Sequence, residues 1–350
     1  MNYALRFACF LLSFLFTFST SPSSGSAQPQ LRAYVTNEKS NDVHVIDVAT
    51  DKVIAKISVG ERPRGIVVTP DKMKVYVSNG NSNDLTIIDT ATNKVIETIP
   101  GPVDPEGLDI TPDGKQLYVV SENGAFTRVL ELPSHKQLAD LPAGVEPETV
   151  LISPDGTRAY VPNETSGDVY VIDTSKLEVI AKIKVGENPR GVAFTPDGKR
   201  AFVSNERTND LSVIDVEKNA VIETVKMGER PVGVSVTPDG KKLYIAHGRS
   251  DEVRVLSVET LELITSIPLK GEAKGEAKPS GESGEEEEEE VSKKGLRAWW
   301  TDMTPDGSKL YVTVGRVGSV AVIDTKSNKV TAMIPVGELP WGIDIAEIPK

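Results

Sequence analysis

Between Gly191 and Val225 the chain reads GVAFTPDGKRAFVSNERTNDLSVIDVEKNAVIETV, four short apolar runs each closed by turn-forming residues. Val192 to Thr195 is the first run and Arg200 to Ser204 the second; Leu211 to Ile214 and Ala220 to Val225 follow. β-Branched residues at period two predict four strands in an up-and-down antiparallel sheet. In Thr195-Pro-Asp-Gly198, Pro presets φ at the second position and Gly closes the fourth, which is type I turn chemistry. Asp215 ends the third run with a carboxylate placed to bond backbone N–H groups. A lone sheet of this kind has bare edges and two apolar faces, so it must pack on others.

The pattern recurs every 42 residues. Tyr-Val-Ser/Thr-Asn positions fall at Tyr34, Tyr76, Tyr118, Tyr160, Phe202, Tyr244 and, after a longer interval of 67, Tyr311. The Thr/Ser-Pro-Asp turn occurs only six times, from Thr69 to Thr304. The missing copy is informative, because the chain enters its first repeat at a second strand (Ala33 to Thr36). It then ends on a first strand, Trp341 to Ala346. Pairing of the two would complete a unit and leave no free edge. Leu31 to Ile348, less a 25-residue insertion, is 293 residues, against 294 for seven units of 42. The prediction is an all-β, seven-bladed β-propeller over residues 31–348. Each blade has four antiparallel strands, and the C-terminal strand closes the ring on the N-terminal strands.

Residues 1–27 carry an apolar run from Ala8 to Phe18, one Arg and no acid, ahead of small residues at Gly25-Ser-Ala27. A secretory signal peptide is expected here, and with it a periplasmic, extracellular or cell-surface location. The only cysteine, Cys9, lies in that segment, so thiol catalysis and disulfides are excluded from the mature chain. The insertion is residues 271–295, GEAKGEAKPSGESGEEEEEEVSKKG, an acidic low-complexity stretch expected to be disordered. Net charge is −12 for the whole chain and −13 without the leader; the insertion carries nine Glu and four Lys, which leaves −8 on the ring. An acidic ring argues against general nucleic-acid binding. The insertion emerges just before Trp299, where it either modulates access and captures a basic partner, or is a tolerated solvated loop.

With Tyr34-Val-Thr-Asn37, Tyr76-Val-Ser-Asn79, Val59-Gly-Glu-Arg-Pro-Arg-Gly65 and the Thr-Pro-Asp-Gly turns, the chain resembles the YVTN family of seven-bladed β-propellers. The opening Ala33 to Lys39 and the closing Val336 to Gly342 resemble its branch associated with pyrroloquinoline-quinone-dependent catabolism. The resemblance implies a periplasmic or surface binding module without demonstrated catalysis.

The repeats supply an internal control: a residue in most blades serves the scaffold, and one that breaks the repeat is a candidate for function. Asp47, Asp89, Asp173, Asp215 and Asp324 repeat at the end of strand three, which marks a turn role. The position at the mouth of the ring instead reads Arg64, Glu106, Glu148, Arg190, Val232, Trp299 and Trp341. With Trp300, these gather every tryptophan of the chain beside two Arg and two Glu. That set suits a ligand or peptide pocket, or else a plug of indoles and mutually paired charges. The candidate binding residues are therefore Arg64, Glu106, Glu148, Arg190, Trp299, Trp300 and Trp341. His44, His135 and His247 fall at unrelated positions, so no metal or haem set is expected. No phosphate-cradling loop, dinucleotide fingerprint or catalytic triad appears, and no cofactor is implied. These features favour an exported binding or scaffold protein over an enzyme, with a protein or small ligand at the mouth. A lactonase-like hydrolase on the same fold would have to draw on Glu106, Glu148 and His247. A structural surface-layer or adhesion module is a third reading.

Overall fold

A computed structural model describes residues 30–269 and 295–349. They form seven four-stranded antiparallel sheets. Blade 1 is built from both chain ends: Pro340–Ile348 pairs with Gln30–Asn37, followed by Asp42–Asp47 and Lys52–Ser58. Blades 2 to 7 begin with the inner strands Pro63–Val68, Pro105–Ile110, Leu151–Ile152, Pro189–Phe194, Pro231–Val236 and Ala298–Met303. The expected ring closure is present, with Ala33 opposite Ile345 and Gln30 opposite Ile348. Inner strands start a few residues earlier than the apolar pattern suggests, at Pro189 rather than Val192 in blade 5. In blade 4 the inner strand shrinks to two residues, with an isolated bridge between Pro147 and Asn163. The leader and residues 271–294 of the insertion lie outside the described residues. Among the described residues no helix is long and apolar enough to cross a membrane.

The core lies between blades. Each apolar cluster joins side chains of two neighbouring sheets, as where Tyr160, Val169 and Val171 of blade 4 meet Val192, Phe194 and Val203 of blade 5. The Tyr-Val-Thr-Asn motif is explained residue by residue. Its aromatic ring is fully buried in every blade. Its hydroxyl often reaches the next blade, as Tyr244 donates to Asn328 Oδ1 at 2.9 Å. The Ser/Thr hydroxyl clips the next blade's mouth residue: Thr36 donates to the Arg64 carbonyl (2.7 Å), Ser204 to Val232 (2.6 Å) and Thr313 to Trp341 (2.9 Å). The Asn amide clamps the following loop, as Asn205 donates to Asp210 Oδ1 at 2.8 Å. Two glycines show why the motif spacing is strict. A Cβ on Gly191 would lie 2.2 Å from the Val232 carbonyl oxygen of the next inner strand. Gly198 ends its turn at φ +68°, with its N–H on the Thr195 carbonyl at 2.8 Å. The strand-three aspartates do accept turn N–H groups, Lys218 to Asp215 at 2.9 Å and Ser327 to Asp324 at 2.7 Å.

Candidate functional site

Each blade sends its chain to the ring axis through a residue held in the left-handed region, two places before the mouth position. These are Arg62, Asp104, Glu146, Asn188, Arg230, Arg297 and Leu339, with φ between 49° and 61°. The turn aims this side chain over the mouth, and the clip from the neighbouring Ser/Thr fixes the mouth residue below it. Above both sits the residue after the motif Asn, a Glu at 38, 122, 164 and 206 and a Gly at 80, 248 and 315. Three tiers of variable residues are therefore stacked on one face.

Charges of opposite sign pair across these tiers. Arg62 bonds Asp104, Glu106 Oε1 (2.7 Å) and Glu122 Oε2 (3.2 Å); Arg64 bonds Glu106 Oε2 (3.0 Å) and Glu38 (3.3 Å). On the other side Arg190 joins Glu148, Glu164 (2.8 Å) and Glu206, and Arg230 also bonds Glu206. Burial pushes Glu148 up, but Arg190, a hydrogen bond from Glu164 and Arg64 outweigh it and hold it at about 2. Glu164 is driven up to about 9 by burial and by its hydrogen bond and repulsion with Glu148. Burial likewise raises Glu106 well above the carboxylate range despite Arg64.

The tryptophans form the floor. Trp299 and Trp341 are 4% and 3% exposed, and Trp341 meets Trp300 with ring centroids 4.9 Å apart and planes tilted by 53°. Arg64 lies 5.6 Å above Trp341, while Trp299 sits between Arg190 (5.0 Å) and Arg297 (4.4 Å). None of the three indole N–H groups has an acceptor.

All seven residues expected at the mouth thus converge, but most are enclosed. Glu106 and Glu148 are at most 1% exposed, and their oxygens are taken by arginines. They brace the layer, so a ligand could touch them only by opening those pairs. What remains accessible is the rim, which the mouth position alone does not reveal. Arg207, Arg230 and Arg249, with Asn188, Asn209 and Glu229, line a surface groove of about 420 Å³. Among the described residues Arg297 makes no ion pair; burial and then the charges of Arg64, Arg190 and Arg316 depress its pKa, only partly offset by Glu38. A sequence signal for this tier exists: residue x in Gly-x-x-Pro changes charge from blade to blade as the mouth position does.

Asp104, Glu106 and Glu122 present oxygens within 4.8 Å of one another, spacing that could hold a cation. The Arg62 guanidinium already occupies that role. His247 stands where most blades carry the motif Asn, is fully buried, and its Nδ1 lies 3.0 Å from the Ile245 carbonyl. His44 and His135 lie in blades 1 and 3, so the three histidines do not meet. Burial, then Arg254, lowers His247 to about 4. Unfolded His takes up a proton near pH 6.5, so this site stabilises the fold above that pH and loses its contribution as pH falls toward 4. The drop amounts to about 3 kcal/mol at 1.36 kcal/mol per pH unit. His247→Asn, the repeat's own residue, is expected to flatten the denaturation midpoint between pH 6.5 and 4, measured by urea titration.

The comparisons with known proteins agree on the fold. The family described as "Lactonase, 7-bladed beta-propeller" matches residues 128–262, and a "YNCE-like beta-propeller" matches 66–155. No curated protein sequence matches significantly. A functionally unknown protein from Desulfotomaculum acetoxidans superposes with TM-score 0.74 at 18% identity, over 91% of this chain and 99% of that one. Kuenenia stuttgartiensis hydrazine synthase gives 0.68 at 21% identity, over 79% and 87%. The dihydro-heme d1 dehydrogenase NirN, in complex with DHE, gives 0.62 at 14% identity, over 90% and 66%. At these identities the likeness is one of fold.

Proposed function

We propose that the chain is an exported, non-enzymatic binding or scaffold propeller that presents its mouth face to a partner. The role fits an accessory of periplasmic quinone-dependent oxidation. The observation that carries the reading is the stacking of three tiers of repeat-breaking charges on one face. There the groove arginines lie beside a paired, indole-floored layer, to which Glu206 ties Arg230. Internal ion pairs make the platform rigid, and the exposed groove offers Arg207, Arg230 and Arg249 to an acidic or polar surface. Exposed charges of this kind steer and select partners without being needed for the fold.

The test is a pull-down from the envelope fraction of the native host with the mature chain as bait. A partner retained by the wild type should be lost with Arg207→Glu/Arg249→Glu, whose thermal midpoint stays unchanged because both side chains are exposed. Capture that is indifferent to this variant and to Trp299→Ala/Trp341→Ala would overturn the mouth reading.

A lactonase-like hydrolase is the second reading, favoured by the family match over residues 128–262. It needs a water or carboxylate activated at the mouth, and Glu122 is the half-exposed member of the acidic trio. Turnover of a lactone panel, with and without added divalent cations, that disappears in Glu122→Gln would establish it.

A further inference from the structure

Below the tryptophan floor the ring encloses a second cavity of about 430 Å³, which opens on the opposite face among the Thr-Pro-Asp turns at Pro238 and Pro305. The repeat breaks here too. Its first lumen-facing level is Gly in blades 1, 2, 3, 5 and 6, Thr149 in blade 4 and Trp300 in blade 7, so an indole stands where the scaffold needs no side chain. Two residues further on, the level reads Val67, Asp109, Leu151, Ala193, Ser235, Asp302 and Asp344. One side of the lumen is apolar and the other carries three carboxylates.

Each carboxylate has a structural task. Asp109 accepts from Ile152 N (2.7 Å), Asp302 from Ile345 N (2.7 Å) and Asp344 from Val68 N (2.6 Å), always the next blade's inner strand. In blade 6 Ser235 makes the corresponding link as a donor, to the Thr301 carbonyl at 3.2 Å, and Val67, Leu151 and Ala193 have no polar group for it. Asp109 and Asp302 also accept from the N–H groups of Ile110 (2.8 Å) and Met303 (2.7 Å); a carboxylate has about four lone-pair sites, so these bonds still leave acceptor capacity on residues that line the lumen. Among the described residues no arginine or lysine forms an ion pair with any of the three. Burial raises Asp109 to about 7 and raises Asp302 and Asp344 as well; backbone N–H bonds oppose it at all three, and Lys72 opposes it at the latter two. The lumen therefore lacks a positive charge. A second, independent observation sits at its inner end: Trp341 lines the cavity, is 3% exposed, and its Nε1–H has no acceptor.

We propose that this lumen binds a small organic ammonium ion bearing a hydroxyl or ether oxygen, admitted from the turn face. Its ammonium group lies against Asp302 and Asp344 and the Trp300 indole, which attracts cations by its ring face. Its carbon stem faces Leu151 and Ala193, and its oxygen accepts from Trp341 Nε1–H. The volume suits a small molecule, and carboxylic acids are repelled by the same three aspartates.

The site shares Trp300 and Trp341 with the mouth floor, but it opens on the opposite face and its lining does not include the rim arginines, so the two readings can be tested apart. Calorimetric titration of the mature protein at pH 8 with ethanolamine and choline, and with propionate as control, tests it. At least one amine should bind and propionate should not. Asp302→Asn/Asp344→Asn should weaken the amine tenfold or more, and Trp300→Gly, which restores the repeat, should do the same with the carboxylates intact. The mouth variant Arg207→Glu/Arg249→Glu should bind the amine as wild type does. Absence of amine binding at millimolar concentration would overturn the proposal and leave the aspartates as blade tethers only. So would amine binding unaffected by Trp300→Gly. If the double aspartate variant does not fold, the Trp300→Gly comparison decides alone.

Discussion

A chain ending at Val336 is expected to be insoluble or without a cooperative thermal transition. The truncation removes Pro340–Ile348 and with it four large buried side chains, Trp341, Ile343, Ile345 and Ile348. At about 1.5–3 kcal/mol each, their loss comes to about 6–12 kcal/mol. Typical domains hold only about 5–15 kcal/mol in total. The cut also bares the edge of Gln30–Asn37 and leaves Asp302 without the Ile345 N–H it accepts. The effect comes from losing the strand and not from changing where the chain ends. A circular permutant that joins Ile348 to Gln30 by a short hairpin, with new termini in the 271–294 loop, should therefore fold. Those two residues are already register partners. Circular dichroism melts of both chains check this. A truncated protein that melts cooperatively near the wild-type temperature would show that the ring does not depend on its closing strand.

The same closure was legible in the sequence because it is a matter of counting: seven Tyr positions, six turns, and a first strand left over at the C-terminus. Repeats make a fold readable, since each copy confirms the others. They also separate scaffold from site, and the mouth position was found that way. What the repeat could not show is how far a side chain reaches once it is there. Arg64 and Glu106 are 42 residues apart, and only the ring geometry sets them at 3.0 Å. Adjacent blades place oppositely charged residues side by side, so charges that look like a ligand's contacts neutralise each other. The left-handed tier was missed because its residues precede a proline in a turn, where polar types are ordinary. The lumen aspartates were missed because a strand position was read as scaffold throughout, although Val67, Asp109, Leu151, Ala193, Ser235, Asp302 and Asp344 vary as widely as the mouth does.

The paired layer has a consequence that surface ion pairs would not. Among the described residues Arg190 is the one cation that reaches Glu148, Glu164 and Glu206 together, and Glu148 is 1% exposed. Arg190→Met keeps the stem but leaves a buried carboxylate without its counter-charge, which typically costs about 3–5 kcal/mol. For about 300 folded residues, at about 2.1 cal/mol/K of unfolding entropy each, that is a fall in melting temperature of about 5–8 °C. Arg128→Met is the control: Arg128 makes two bonds of 2.8 Å to Asp140 on the outer face, and exposed pairs contribute about 0–1 kcal/mol. Glu148 is held at about 2 chiefly by Arg190 acting against burial, so without the arginine its pKa must rise. The defect of Arg190→Met should therefore shrink as pH falls and Glu148 takes up a proton, and Glu148→Gln in the same chain should recover part of it at neutral pH. Urea denaturation of the two single variants and the double gives the coupling directly. A loss no greater than that of Arg128→Met, or a double variant no better than Arg190→Met, would mean that the mouth charges are solvated rather than braced. The rim groove would then have no rigid platform beneath it.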